Sequence, residues 1–304
     1  YKYMTEEKEK RKVHSVFQHY LSPEVINKVL DDPSGLKLGG ERRELTVFFS
    51  DVRGFTTISE SLTPEKLCEF MNEYFMPMTS IILATSGVLD KYIGDAIMAF
   101  WGAPVTLKDH ADRAAMASIQ MLFALDKIRQ EFSQKGFPQP DIGIGLNTGE
   151  MSVGNMGSHV RFNYTVMGDA VNLASRLEGL TKEYGIKILI SEFTYSKLTP
   201  SKFFTRELDD IRVKGKNKPV KIYELMRPDI LESESLIKEF IDVFNQGRVW
   251  YRQQRWSDAQ NSFMQSLKIK PDDKASKLYL DRIMQYQQDP PSHDWDGVYT
   301  FTHK

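Results

Sequence analysis

The chain has 304 residues, with 40 Lys+Arg against 41 Asp+Glu for a formal net charge of -1. A balance this close to zero argues against a nucleic-acid binder held by bulk electrostatics, because phosphate neutralisation needs a clustered basic excess. Hydrophobic residues at 41% and aromatics at 12% are enough for a sizeable core, and about 150 residues per domain is the usual prior, so one or two domains are expected.

Residues 1–12 are dense in charge, after which Val13, Val16, Phe17, Tyr20 and Leu21 recur at helical spacing. Ser22-Pro23-Glu24 then places a capping side chain before a proline at the first helical position, so a second short helix is predicted to about Leu30, ended by Asp31-Asp32-Pro33-Ser34-Gly35. Residues 1–40 therefore read as a helical arm, either packed on the main domain or forming a coiled-coil connection that relays a signal from upstream.

Residues 41–227 alternate between strand and helix patterns. Leu45 to Phe49 reads as a short buried strand, and Thr63-Pro64-Glu65 caps a helix whose apolar face runs from Leu67 to Ile82. Val88 to Ile93 and Ala96 to Trp101 are strand-like runs joined by Gly94-Asp95, a tight hairpin. A long helix from Asp109 to Phe132, a strand from Asp141 to Asn147, a helix from Asp169 to Tyr184 and a strand from Lys187 to Ile190 follow. Further strands are expected over Phe203 to Leu225. The order predicts an α/β (α+β) fold of the ferredoxin-like type, an antiparallel-containing sheet with flanking helices. After Arg227-Pro228 helical periodicity dominates, with helices expected over Ile237 to Tyr251, Trp256 to Leu267 and Asp273 to Gln287. Trp256, Ala259, Phe263, Leu267 and Pro271 resemble the spacing of a tetratricopeptide repeat, so residues 228–304 read as a helical extension that docks on the main domain or on a protein partner.

The single cysteine, Cys68, leaves no intrachain disulfide and fits a reducing compartment. No apolar run approaches the roughly 20 residues that span a bilayer, and the start at Tyr1 reads as the interior of a longer protein. The histidines show no metal-ligand spacing.

Four runs can carry chemistry. In Phe49-Ser50-Asp51-Val52-Arg53-Gly54-Phe55-Thr56 a carboxylate ends a strand, and the glycine lets backbone N–H groups converge on a phosphate while Asp51 holds a hard cation; an ordinary strand-to-helix turn has the same pattern. In Lys91-Tyr92-Ile93-Gly94-Asp95 the Gly-Asp pair is either hairpin punctuation or a second carboxylate. Brought to one point, Asp51 and Asp95 would repel unless a cation lay between them, and a two-metal phosphoryl site is the natural use. In Tyr164 to Arg176, Asn172 and Arg176 stand four apart on one helix face, as a polar stripe or as a paired amide and guanidinium. Val213-Lys214-Gly215-Lys216 is a basic turn suited to polyphosphate or to solubility.

In this order and spacing, the four runs resemble the class III nucleotidyl cyclases over about Glu41 to Arg227. The resemblance implies a phosphorus–oxygen lyase with two Mg²⁺ or Mn²⁺ per active site, held by Asp51 and Asp95. Arg176 is implied to stabilise charge on the α-phosphate, Asn172 to orient the ribose, and Lys214, then Lys216, to meet the terminal phosphates. The backbone around Gly54, Phe55 and Thr56 completes the phosphate cradle. Lys91 stands where adenylate-forming members carry a lysine, which donates to adenine N1, and Thr165 stands at the partner position that accepts from the adenine amino group; guanylate cyclases place an acidic residue at the lysine position. The chain thus looks like an adenylate cyclase that makes cyclic AMP from ATP, with a guanylate cyclase or a silent nucleotide-binding regulator as alternatives. Family members share each site between two subunits, so a head-to-tail homodimer is implied, although Lys91 and Asp95, about 13 Å apart along a strand, could serve one nucleotide within one chain. The arm and tail resemble those of bacterial members with a membrane-bound upstream sensor domain, which implies a cytoplasmic catalytic portion, while the balanced charge implies no nucleic-acid partner.

Overall fold

The computed structural model describes residues 38–158, 160–212, 219–292 and 295–300. The predicted arm helices and the Lys214/Lys216 turn lie outside these residues. The chain divides into two compact units: the first takes the residues up to Phe48, Phe55–Gln139 and Thr148–Val171, and the second takes Phe49–Gly54, Pro140–Asn147 and the chain from Asn172 onward. Among the described residues no helix is long and apolar enough to cross a membrane.

The first unit holds strand β1 (Gly39–Val52) as far as Phe48, and Leu45–Phe48 are buried without alternation, the pattern of a strand covered on both faces. Helix α1 (Phe55–Ser61) and the longer α2 (Pro64–Ala84) follow. Thr63 caps α2, its hydroxyl accepting from the Lys66 amide at 3.4 Å, and Pro64 takes the first position, where a missing N–H costs nothing. Phe70, Tyr74, Met78 and Ile82, four apart, form its buried stripe. Phe70 meets Phe132 of α3 (His110–Lys135) with ring centres 4.8 Å apart. Strands β2 (Val88–Ile93) and β3 (Ala96–Trp101) make the expected hairpin, but Asp90 is the extra residue of a bulge between Leu89 and Lys91. Strand β4 (Ile142–Gly157) runs ten residues past the expected end at Asn147, and β5 (Phe162–Met167) pairs antiparallel with this outer part. The strand order here is β2-β3-β1-β4, with β5 on β4. Gly154, opposite Thr165, lets β1 approach: a side-chain carbon there would lie 2.2 Å from the Gly39 carbonyl.

In the second unit the inner half of β4 pairs parallel with β6 (Ile188–Ser191), β6 antiparallel with β8 (Val220–Met226), β8 antiparallel with β7 (Phe204–Arg212), and β7 parallel with the two-residue β9 (Tyr299–Thr300). Helices α4 (Asp169–Tyr184), α5 (Glu192–Tyr195), α6 (Glu234–Arg252), α7 (Trp256–Ile269) and α8 (Lys274–Gln288) complete the unit. Leu173 and Leu177 of α4 share one buried cluster with Leu189, Ile222, Phe244, Phe263, Tyr279 and Ile283, so the helices after Arg227 share a core with α4 and the strands.

Buried charge joins these pieces. Arg206, 1% exposed, donates to Glu224 at 2.6 Å and makes a bidentate pair with Asp273 at 2.6 and 3.0 Å, between the rings of Phe240 and Phe244. Burial works against its charge, but Glu224 and Asp273 hold the guanidinium above its ordinary range. The Asp273 carboxyl is also opposed by burial, yet Arg206 brings it below the usual value; burial instead leaves Glu224 above it. A second set ties α8 to α4, with Arg282 and the Tyr184 hydroxyl both donating to Asp209, at 2.6 and 2.7 Å. The architecture is the mixed α/β sheet with antiparallel-dominated pairing and flanking helices that the pattern predicts.

Candidate active site

The turn after β1 belongs to the second unit. Asp51, half-buried, is the next-to-last residue of the strand, and Gly54 takes a left-handed φ of +67° that a side chain would strain. Arg53 secures the turn: its guanidinium donates to the Ile186 carbonyl at 2.6 Å, and its amide donates to the Asp141 carbonyl at 2.7 Å. Lys187 closes on the Asp141 carboxylate at 2.5 and 2.6 Å. Phe55 and Thr56 open α1 directly after this turn. In the first unit, Asp95 is half-buried in the two-residue turn between β2 and β3.

Lys91 and Thr165, 74 residues apart, come together in the first unit with Nζ 3.5 Å from Oγ1. Thr165 is buried in β5, while the Lys91 side chain keeps 40% of its exposure. A third residue, absent from the sequence reading, completes the group. Asp90, whose side chain is 0% exposed, accepts the Thr165 hydroxyl proton at 2.5 Å and lies 3.1 Å from Lys91 Nζ. The Val166 amide also donates to it at 3.4 Å. Burial raises the Asp90 carboxyl above the ordinary aspartate range, against the pull of Thr165 and Lys91. Neighbours in a regular strand point to opposite faces, which would send Asp90 away from the Lys91–Thr165 pair; the bulge cancels that alternation.

On α4, Asn172 and Arg176 are both exposed, one turn apart, while Val171, Leu173, Ala174 and Leu177 face inward. The helix starts at Asp169, after a Gly168 with φ of +144°. Lys214 and Lys216 lie outside the described residues. Of the histidines, His110 is buried, with Nδ1 2.7 Å from the Thr46 hydroxyl, and serves packing.

Asp51 and Asp95 are hard oxygen donors, the type Mg²⁺ and Mn²⁺ take. Among the described residues no group of three or more His, Cys, Asp or Glu forms a self-contained metal cage. A partly exposed carboxylate of this kind suits a cation that completes its shell with water and phosphate oxygens.

Known proteins resemble this chain over much of its length. An adenylate cyclase of Anabaena cylindrica is 42% identical over 189 residues, covering 60% of this chain and 37% of that protein. A terminal-differentiation specific adenylate cyclase of Dictyostelium discoideum is 35% identical over 245 residues, 80% of this chain and 11% of that protein. The chain thus spans well under half of these relatives. Among solved structures, the adenylyl cyclase CyaB from P. aeruginosa shares 40% identity at a TM-score of 0.58, covering 62% of this chain and 96% of that one. The guanylyl cyclase Cya2 shares 35% at 0.57, covering 62% and 95%. Residues 40–227 match the model of the adenylate and guanylate cyclase catalytic domain, and the chain belongs to that family.

Proposed function

We propose that this chain is an adenylate cyclase, converting ATP to 3′,5′-cyclic AMP and pyrophosphate. The observation that carries the choice of ATP is the Lys91–Thr165 pair, a cationic donor 3.5 Å from a hydroxyl oxygen. Adenine offers an acceptor at N1 beside an amino donor, which matches this pair; guanine offers the reverse. The names of the Anabaena and Dictyostelium relatives support the same substrate.

In the proposed reaction the ribose 3′-oxygen attacks the α-phosphorus, its proton leaves, and the bond to the bridging oxygen of the β-phosphate breaks as pyrophosphate departs. The family uses a divalent metal, and we assign two Mg²⁺ or Mn²⁺ to Asp51 and Asp95. Bound there, the metal would lower the 3′-hydroxyl pKa and neutralise the triphosphate. Arg176 supplies a guanidinium for the charge that builds on the α-phosphate oxygens, and Asn172, one turn earlier on α4, orients the ribose. The exposure of both side chains supports a role toward a ligand or a second subunit. Lys91 and Thr165 hold the base, the Gly54–Thr56 backbone meets phosphate, and Lys214 the terminal phosphates. We further propose a head-to-tail homodimer in which one subunit supplies the aspartates and its partner the α4 residues, acting downstream of a sensor domain that anchors the full protein to a membrane. The helices after Arg227 would offer a surface to a partner protein.

The test is a product assay with ATP and GTP in parallel, each with Mg²⁺ and with Mn²⁺. Cyclic AMP from ATP, well in excess of cyclic GMP from GTP, is expected. Cyclic GMP as the main product would turn the reading to guanylate cyclase, and no product with binding intact would turn it to a silent regulator.

A further inference from the structure

We infer that Asp90 is a specificity-determining residue: by accepting the hydrogen bond of the Thr165 hydroxyl it leaves that oxygen able only to accept from a ligand, and so makes the site read adenine. The inference rests on the proposed base-contacting roles of Lys91 and Thr165 and deepens them.

A threonine hydroxyl carries one proton and two lone pairs, and it rotates to suit its partner. Taken alone it discriminates poorly, since it can accept from the amino group of adenine or donate to the O6 of guanine. Here the rotation is stopped. The hydroxyl donates to Asp90 Oδ2 with the two oxygens 2.5 Å apart, in the short range of a hydrogen bond to an ionised acceptor. Lys91 Nζ at 3.1 Å and the Val166 amide at 3.4 Å favour the ionised carboxylate, on a side chain with 0% exposure. The two lone pairs of Thr165 are then what remains for ligands, one of them toward Lys91. Lys91 in turn is oriented by Asp90 and Thr165 together, and its other N–H groups remain available for an acceptor such as adenine N1.

The bulge that displaces Asp90 from strand alternation is what allows one element to supply both the cation and the carboxylate. Asp90 touches no substrate in this scheme, so it is a positioning residue and its removal should alter which base is read.

The experiment measures kcat/KM for ATP and GTP in the full chain and in Asp90→Leu, with ratios of nucleotide dissociation constants carrying the same comparison independently of turnover. The ATP-to-GTP ratio is expected to fall at least about tenfold in Asp90→Leu, because an unlocked hydroxyl can turn its proton toward O6. Adding Thr165→Asp to that variant should restore the ratio, since a carboxylate accepts without needing Asp90. An unchanged ratio in a cooperatively melting Asp90→Leu overturns the inference. Lys91→Glu and Thr165→Val separate it from the reading beneath: if both leave the ratio unmoved, the base-contacting roles fail, and if they move it while Asp90→Leu does not, the inference alone fails. Should Asp90→Leu not fold, the native chain decides with two substrates of matched size. The triphosphate of 6-methylaminopurine riboside, a donor at this position, should surpass that of 6-methoxypurine riboside, an acceptor, by at least about tenfold. Equal use of the two overturns the locked hydroxyl.

Discussion

Arg176 and Asn172 reach solvent from α4 while their helix neighbours Leu173 and Leu177 are buried, so either can be replaced without opening a cavity. Arg176→Ala is expected to lower kcat by about 10²–10³, the usual cost of one transition-state donor, with an unchanged melting temperature. Asp51→Ala should be comparably inactive. If each site takes its aspartates from one subunit and its α4 residues from the other, mixing the two dead proteins regenerates one intact site in each heterodimer, and about a quarter of the native rate under random pairing. Assays of the mixture check this, and a dead mixture that still forms dimers refutes the shared site. The sequence pointed to Lys91 and Thr165 through the family resemblance, and to Asn172 and Arg176 through their four-residue spacing on one helix face; the fold brings the first two into contact and leaves the other two exposed. Asp90 was not legible, because strand periodicity assigns it to the opposite face, and a bulge leaves no reliable mark on hydropathy.

At the scale of elements, helices and the β2–β3 hairpin were legible because their signals are local: the Thr63-Pro64 cap, the four-residue stripe of α2 and the Gly94-Asp95 turn each act over a few residues. The elements missed were α1, β5, α5 and β9, which owe their form to neighbours. Strand β5 exists by pairing with β4, and β9 is too short for any period. The charged contacts of β7 were equally hidden, since Arg206 reads as a surface residue until Glu224 and Asp273 are folded around it. Arg206→Met should destabilise the protein by about 3–5 kcal/mol, as it leaves two buried carboxylates without a counter-charge. The pH dependence has a definite sign. In the native chain the lowered Asp273 pKa contributes stability above the usual aspartate range, lost as pH falls through its folded value. In the variant, desolvation would raise both carboxyl pKa values above their unfolded ones, so its stability grows on acidification. The gap between the two proteins should therefore narrow from neutral to mildly acidic pH, as urea titrations of both would show; a gap that widens would contradict the pairing.

For the molecule as a whole, the family match ends at residue 227, yet the buried cluster around Leu173 and Ile222 draws Phe244, Phe263, Tyr279 and Ile283 from beyond it. Truncation after Arg227 should expose those apolar faces and remove the Arg282 link to Asp209. The shortened chain is expected to lose cooperative unfolding and to be cleaved readily by protease; a truncated protein that melts as sharply as the full chain would show the extension to be dispensable for folding. The sequence showed where the composition changes but not that the helices after it share a core with α4, because that depends on which faces meet. On the side of β7 away from β8 lies the margin of the sheet. Strand β9 pairs there at Ile211 and Arg212, and Asp296 pairs with Arg212 just before it. An unpaired strand edge is a template on which another chain can add, so this short parallel segment, with a salt bridge beside it, acts as a guard against edge-to-edge aggregation at the margin of the sheet.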